Sequence, residues 1–175
     1  MKFKKISLFI MIFAAMFLLT GCGNDNKEKD NENKEVTNEE SKQDNTAPVE
    51  GNLEDLMAKI YENIPEDQRP MMLMNVEIDE ENVEYYLGTD DIEYEEALAS
   101  ESGVGSIAHS VVLVRVKDNA DIKTIKANIK DSVNPRKWIC VEAEKVVVEN
   151  RGNLIILIMS SSDNVDKLLA GFNNL

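Results

Sequence analysis

The sequence predicts an α+β domain, in which a mainly antiparallel sheet of about five strands carries three to four helices. Apolar residues recur at helical spacing in several segments of the chain. Between those segments lie short runs with alternating or continuous apolar residues, which are typical of strands. Hairpins joined by single helices favour antiparallel pairing, with the helices packed on the sheet. We expect this single domain to occupy residues 52–175.

The first predicted elements are a helix and a strand. A stripe of apolar residues over 53–64 has the spacing of one helix face, Asn52 is suited to cap it, and Pro65 follows its end. Apolar residues then alternate with other residues over 72–78. This period of two predicts a strand with one buried face.

A short helix and a hairpin are predicted next. Asp79 is suited to cap a helix over 80–87, and Gly88 is suited to end it in the left-handed conformation. Two strands are then predicted over 92–100 and 106–117. The run of valine and leucine in the second strand indicates that both of its faces are covered.

The last third of the chain repeats the order of hairpin and helix. A helix is predicted over 122–133, followed by strand structure over 138–149. A hairpin turn over 150–153 then leads into an apolar strand over 154–159. The last predicted element is a helix over 162–172 capped by Ser162. A unit of hairpin plus helix therefore occurs twice, although the two copies share no obvious residues.

The amino terminus has the features of a secretory signal. Three lysines, at positions 2, 4 and 5, precede an apolar run over 6–19. This run is too short to span the roughly 30 Å hydrocarbon core of a bilayer as a stable helix. A basic end followed by a short apolar segment is the pattern of a signal peptide, which we assign to residues 1–21.

The segment Leu19-Thr20-Gly21-Cys22 resembles the lipobox of bacterial lipoproteins. This resemblance implies cleavage between Gly21 and Cys22 and transfer of a diacylglyceryl group, with acyl chains such as palmitate, to the Cys22 thiol. Two acyl chains give stable anchoring where one gives only marginal binding. The resemblance therefore predicts a lipid-anchored protein on the extracytoplasmic face of the cell membrane.

The charge of the chain bounds its partners. The sequence has 33 acidic and 19 basic residues, a net charge of −14, and removal of the signal peptide makes the charge −17. Such a chain repels nucleic acid and anionic membrane surfaces, so we expect no nucleic-acid partner and attachment through the lipid on Cys22. Residues 22–51 are acidic and nearly free of apolar side chains, which predicts a disordered linker.

Cys140, His109 and Arg151 form the strongest catalytic candidate. A thiol, an imidazole and a cation are the groups of a cysteine hydrolase or transpeptidase of the cell envelope. However, Cys140 lies in the apolar stretch 138–141, where we interpret it as a core residue, and Arg151 fits a hairpin turn. We therefore predict no catalytic residues and a non-enzymatic protein.

An acidic belt over 70–114 contains eleven carboxylates and no Lys or Arg. Carboxylates in number can hold calcium or dock a basic partner, but no calcium-binding loop motif is present. Met72 and Met74 share a strand face with apolar residues, so we interpret them as core residues rather than copper ligands. We predict neither a metal nor a cofactor, and we retain a small solute- or cation-binding protein as an alternative.

Two segments, 82–88 and 111–121, resemble those of a family of uncharacterised clostridial lipoproteins from low-GC Gram-positive bacteria. Members of that family join a lipobox and an acidic linker to one small domain of unknown function. The resemblance implies the same architecture here and supplies no catalytic residues. The sequence thus predicts a surface lipoprotein that displays a binding domain for a basic protein or another envelope partner.

Overall fold

The computed structural model describes residues 47–175, and in these residues the predicted α+β class and antiparallel sheet are confirmed. The five strands lie in the order β1-β2-β3-β5-β4, and all neighbours are antiparallel. The strands are β1 (Leu73–Glu77), β2 (Glu96–Ser102), β3 (Ser110–Arg115), β4 (Lys145–Arg151) and β5 (Leu154–Ser160); the α-helices are α1 (Leu53–Tyr61), α2 (Val83–Leu87), α3 (Ile122–Ser132) and α4 (Ser162–Asn173). The predicted signal peptide, the lipidation site Cys22 and most of the predicted linker lie outside the described residues.

The helices cover both faces of the sheet. One core contains the buried side chains of α1 and α4, and the other contains those of α2 and α3. In β3, Val111 and Leu113 contribute to the first core while Val112 and Val114 contribute to the second, as the period of two requires. Because both faces are covered, the central strands β3 and β5 are apolar along most of their length.

Local side-chain chemistry fixes the start of α1 and the end of α2 as predicted. The Asn52 side chain accepts a hydrogen bond from the backbone N–H of Asp55 (2.8 Å) at the start of α1. Gly88 ends α2 with φ of 76°, the left-handed conformation that glycine adopts without a steric penalty. The predicted start of α2 was wrong, because the Asp79 side chain accepts hydrogen bonds from the backbone of the preceding turn and the helix begins at Val83 with Asn82 as its N-cap. The prediction for α4 was wrong by one residue, since Ser161 and not Ser162 is its N-cap.

Three predicted strands differ from the observed ones. β2 begins at Glu96, four residues later than predicted, and β3 is shorter than the predicted strand over 106–117. Residues 138–144 form no strand. The reason is local backbone conformation: Cys140 has φ of 62°, which is incompatible with strand pairing. The interpretation of Cys140 as a core residue was also wrong, because its thiol is free and exposed.

Arg115 attaches the start of the domain to the sheet. Its guanidinium group is buried and donates hydrogen bonds to the backbone carbonyls of Val49 and Gly51. Its Nε donates to the Glu96 carboxylate at 2.7 Å. Val49 is itself buried in the core beneath α1. Packed structure therefore extends three residues before Asn52, the first residue of the predicted domain.

Candidate functional site

His109 lies inside the sheet–helix interface beside α1. Its Nε2 is 2.7 Å from the Tyr61 hydroxyl oxygen, and its Nδ1 is 2.8 Å from Ser160 Oγ. The side chain is fully buried. Burial penalises the charged imidazole and lowers the pKa of His109 to about 4. At neutral pH the ring is therefore uncharged, and both of its nitrogens are occupied by structural hydrogen bonds.

The structure does not bring Cys140, His109 and Arg151, the residues of the catalytic alternative, together in one site. Cys140 makes no side-chain hydrogen bond to His109 or to any other group in residues 47–175. Arg151 lies in the β4–β5 hairpin opposite Leu154, whereas His109 adjoins Ser160 at the other end of β5. The arrangement thus offers no imidazole free to deprotonate the thiol, and Arg151 lies at the opposite end of β5 from His109.

An exposed apolar surface lies at one corner of the sheet. Across the described part of the chain, five large apolar side chains are exposed, with exposed fractions between 51% and 73%. All five lie beside the segment 101–105, which ends β2 and begins the following loop. We call this surface the apolar corner; its residues are Met71, Met72, Met74, Tyr85 and Ile139.

Specific contacts hold these side chains at the same corner. Met74 lies directly across the β1–β2 pair from Glu101, and the Tyr85 hydroxyl donates to the Glu101 carboxylate at 3.4 Å. Ile139 N–H donates to the carbonyl of Gly105 at 3.0 Å. A side chain at Gly103 would begin only 3.1 Å from Met74 Cε, so the glycine leaves room for this methionine.

A buried ion pair forms the base of the apolar corner. Lys137 Nζ lies 3.2 Å from Glu101 Oε1, and the exposed fractions of the two side chains are 5% and 11%. The same ammonium lies 4.3 and 4.6 Å from the ring centres of Tyr85 and Tyr86, within the range of cation–π attraction. Trp138 Nε1 donates to Glu101 Oε1 at 2.9 Å. These interactions fix the orientation of the rings below and within the corner.

Burial and charge act in opposite directions on the ionisable groups of this base. Burial lowers the pKa of Lys137, and the adjacent Glu101 carboxylate acts to raise it. Burial and the same carboxylate raise the pKa of Tyr86 to about 12. Tyr85 also has a raised pKa from the same two causes. Both tyrosines therefore remain neutral over the physiological range.

The interpretation of Met72 and Met74 as core residues was wrong. The period-two pattern identified the correct strand face, but burial on that face begins only at Val76 and Ile78. Met74 lies near the start of the edge strand β1 and Met72 immediately precedes it; Met72 has φ of 54°, which is outside the strand region, so the strand begins only at Leu73. A cluster of methionines before an edge strand was the available signal, because flexible thioethers suit adaptable binding surfaces.

Carboxylates of the acidic belt, together with two that precede it, flank β1 in the sequence. Seven exposed carboxylates flank the strand and form no ion pair with Lys or Arg in residues 47–175. These residues are Glu66, Asp67, Glu77, Asp79, Glu80, Glu81 and Glu84. The same part of the chain contains no cluster of three or more ligands that could hold a metal ion.

Two surface hollows bear on the solute-binding alternative. One of about 870 Å³ lies between the segment 47–50, α1 and the end of α4, and its lining includes Lys59 and Arg151. The other, of about 310 Å³, lies above His109 and Ser160. Because His109 and Ser160 bond to each other, neither is free to orient a ligand in the smaller hollow.

Comparison with protein-family models, curated proteins and solved structures found no match. Within residues 47–175, no helix combines the length and apolarity that a membrane crossing requires.

Proposed function

We propose that this protein is a lipoprotein, anchored through Cys22 to the extracytoplasmic face of the cell membrane, that displays a non-enzymatic protein-interaction domain. The apolar corner is the observation that carries the interaction part of the proposal. The lipobox-like segment ending at Cys22 and the preceding apolar run support the location.

The apolar corner has the composition of a protein-binding surface. Clustered exposed apolar side chains mark interaction sites on soluble domains, whereas single ones are ordinary. Tyrosine and methionine are enriched in the buried centres of protein interfaces. Tyr85 is already oriented by Glu101 and Lys137, so little of its conformational entropy remains to be lost on binding. This surface therefore favours contact with another protein.

The surroundings of His109 and Cys140 favour binding over catalysis. A general base must reach the proton that it removes, and the His109 nitrogens already contact Tyr61 and Ser160. Burial opposes a charged imidazole, which a thiolate–imidazolium pair would require. These features support a non-enzymatic role.

The anchor is tested by replacing the thiol. In cells fed an alkyne analogue of palmitate, we expect the wild-type chain to become labelled and to sediment with membranes. Cys22→Ser removes the nucleophile and should abolish the label, while Cys140→Ser should leave it intact. Label retained in Cys22→Ser, or a wild-type chain recovered unlabelled from the cytosol, would contradict the location.

The interaction is tested by placing a photo-crosslinking residue at Met74. The matched control is Ala170, an exposed position on α4, which packs on the opposite face of the sheet. We expect a discrete adduct from position 74 that a tenfold excess of unlabelled wild-type chain suppresses, and none from position 170. The partner identified by mass spectrometry should then bind the purified chain. Equal adducts at both positions, or none, would contradict the proposal.

A further inference from the structure

β1 is an edge strand with free backbone groups on its outer side. Among the strands of residues 47–175 it pairs only with β2. The hydrogen bond from Gly103 N–H to the Met72 carbonyl (2.9 Å) shows which residues of β1 bond to β2 and which direct their backbone groups outward. In such a ladder every second residue directs its N–H and C=O away from the partner strand. In β1 these are Leu73, Asn75 and Glu77. The Glu77 carbonyl accepts a hydrogen bond from Asn82 Nδ2 at 3.0 Å, and nothing within residues 47–175 pairs with the outward groups of Leu73 and Asn75.

β1 contains no lysine, proline or bulge that would prevent pairing at this edge, and its one charged residue is Glu77 at its end. Natural sheets protect their edges with lysine, proline, bulges or covering elements. β1 consists of Leu-Met-Asn-Val-Glu and pairs with β2 without a bulge. The opposite edge strand, β4, carries Lys145 and Arg151 and packs against α3 and α4. The sheet is thus open to another strand at β1.

The two faces beside β1 differ in chemistry. Met74 and Val76 lie on the face of the apolar corner, whereas Asn75 and Glu77 lie on the other face. Residues that lie directly across a strand pair share a face. An added strand would therefore meet Met74 and Val76 on one face and, on the other face, Leu73 followed by the polar Asn75 and the acidic Glu77.

The charge of the segments beside β1 indicates that its partner is basic. Seven carboxylates without an ion pair in residues 47–175 flank the strand in the sequence, from Glu66 to Glu84, and Arg69 is the one basic residue in this span. The nearby ammonium of Lys137 is already neutralised by Glu101. A second copy of this chain would bring the same negative charge to the edge. A basic segment would meet complementary charge.

We propose that β1 accepts an extended segment of a basic partner protein as a sixth strand of the sheet. The segment's apolar side chains lie against the apolar corner, and its Lys or Arg side chains lie toward the flanking carboxylates. Backbone pairing at Leu73 and Asn75 supplies affinity, and the alternating side chains supply specificity. This inference rests on the proposed function and specifies its partner and mode of contact.

The probe is a labelled eight-residue peptide in which lysine and valine alternate, titrated against the full chain purified in detergent at ~150 mM salt, which screens exposed charges. A matched peptide with N-methyl groups at alternate backbone amides keeps the charge but cannot pair with the edge. We expect it to bind at least about tenfold more weakly, which corresponds to the loss of two hydrogen bonds. On binding the unmodified peptide, the amides of Leu73 and Asn75 should exchange hydrogen at least tenfold more slowly.

Matched variants test the same edge from the protein side. Asn75→Pro removes an outward N–H without removing a β1–β2 hydrogen bond, and Asn75→Ala keeps that N–H. We expect about tenfold weaker binding for the proline variant and unchanged binding for the alanine variant. Glu77→Gln together with Glu84→Gln should weaken binding, whereas Glu54→Gln on α1 should not. Comparable thermal unfolding of the variants would establish that all of them fold.

The outcomes separate the two proposals. Equal binding of the N-methylated peptide, unchanged exchange at Leu73 and Asn75, or no peptide binding up to ~1 mM would overturn strand addition. If the adduct from position 74 persists in Asn75→Pro, the interaction surface stands and its mode of pairing is wrong. Association of the chain with itself through β1 in sedimentation would assign the edge to a second copy and overturn the basic partner.

Discussion

At the scale of single residues, burial and the available partners together decide the charge of His109 and Lys137. His109 meets only neutral partners, the Tyr61 and Ser160 hydroxyl groups, and burial therefore keeps it uncharged. Lys137 is almost as inaccessible, but the Glu101 carboxylate and two aromatic rings compensate for its desolvation. A buried charge with a partner and satisfied hydrogen bonds is tolerated, whereas an isolated one is replaced by the neutral form.

The buried, neutral His109 should lower the free energy of unfolding in acid. The unfolded imidazole binds a proton near pH 6.5, whereas the folded one does so only near pH 4. Above pH 6.5 the residue is neutral in both states and adds no pH dependence. Between those values the unfolded state takes up the proton, so the free energy of unfolding falls by about 3 kcal/mol as the pH decreases to 4.

This contribution is measured by urea unfolding between pH 4 and 8 in the wild type and in His109→Gln. Glutamine keeps one donor and one acceptor but does not titrate in this range, so the many surface carboxylates affect both proteins alike. We expect the wild type to lose about 3 kcal/mol more than the variant over the interval. Parallel pH profiles would contradict a neutral buried imidazole.

At the scale of elements, close approach of α1 and α4 depends on a glycine. A Cβ atom at Gly171 would lie 2.5 Å from the carbonyl oxygen of Ile60 and 3.0 Å from its Cα. Ile60 and Phe172 are fully buried on this side of the sheet. The absence of a side chain at position 171 thus lets the two helices bury these residues against each other and against β3 and β5.

The substitution Gly171→Ala has two opposing effects on stability, one from helix propensity and one from packing. Alanine is favoured over glycine in a helix by about 1 kcal/mol, whereas overpacking against backbone atoms costs about 1–3 kcal/mol. Because the nearest atom belongs to the backbone of α1, we expect the packing term to exceed the propensity term and the melting temperature to fall. A matched change at an exposed position of α3, Ala127→Gly, should lower stability through propensity alone. An unchanged or higher melting temperature for Gly171→Ala would contradict the close crossing.

At the scale of the whole molecule, excess negative charge opposes the compact state. Residues 47–175 carry 25 acidic and 12 basic side chains, a formal charge of −13. Most of the ion pairs involve at least one well-exposed partner, and exposed pairs add little stability. We therefore expect self-repulsion among the carboxylates to outweigh these pairs, and the two apolar cores to supply the stabilisation of the fold.

Added salt should consequently stabilise this domain. Raising sodium chloride from ~20 to ~200 mM shortens the Debye length from about 20 Å to about 7 Å and screens the repulsion. We expect the melting temperature of the full chain to rise by a few degrees in calorimetry. Glu80→Gln combined with Glu81→Gln should reduce this rise. A melting temperature that falls with salt would show that the ion pairs dominate instead.

Element types could be predicted from the sequence where one periodic signal acted alone. The stripe over 53–64, the cap at Asn52 and the left-handed Gly88 required only local chemistry, and all three occur in the structure. Strand limits around Cys140 and Met72 could not be predicted, because both residues adopt left-handed conformations that their side chains do not favour. Tertiary packing stabilises these conformations, so the local sequence pattern does not predict them.

The sequence by itself determined the α+β class, the two hairpin–helix units and the net charge, because periodicity and composition are properties of the chain alone. Only the tertiary structure decided that Met72 and Met74 are exposed, that both His109 nitrogens are occupied, and that Lys137 lies beneath Tyr85. Each of these depends on which distant segments meet across the sheet. The order β1-β2-β3-β5-β4 leaves β1 at an edge, and an edge strand is covered on fewer sides than its own apolar pattern suggests.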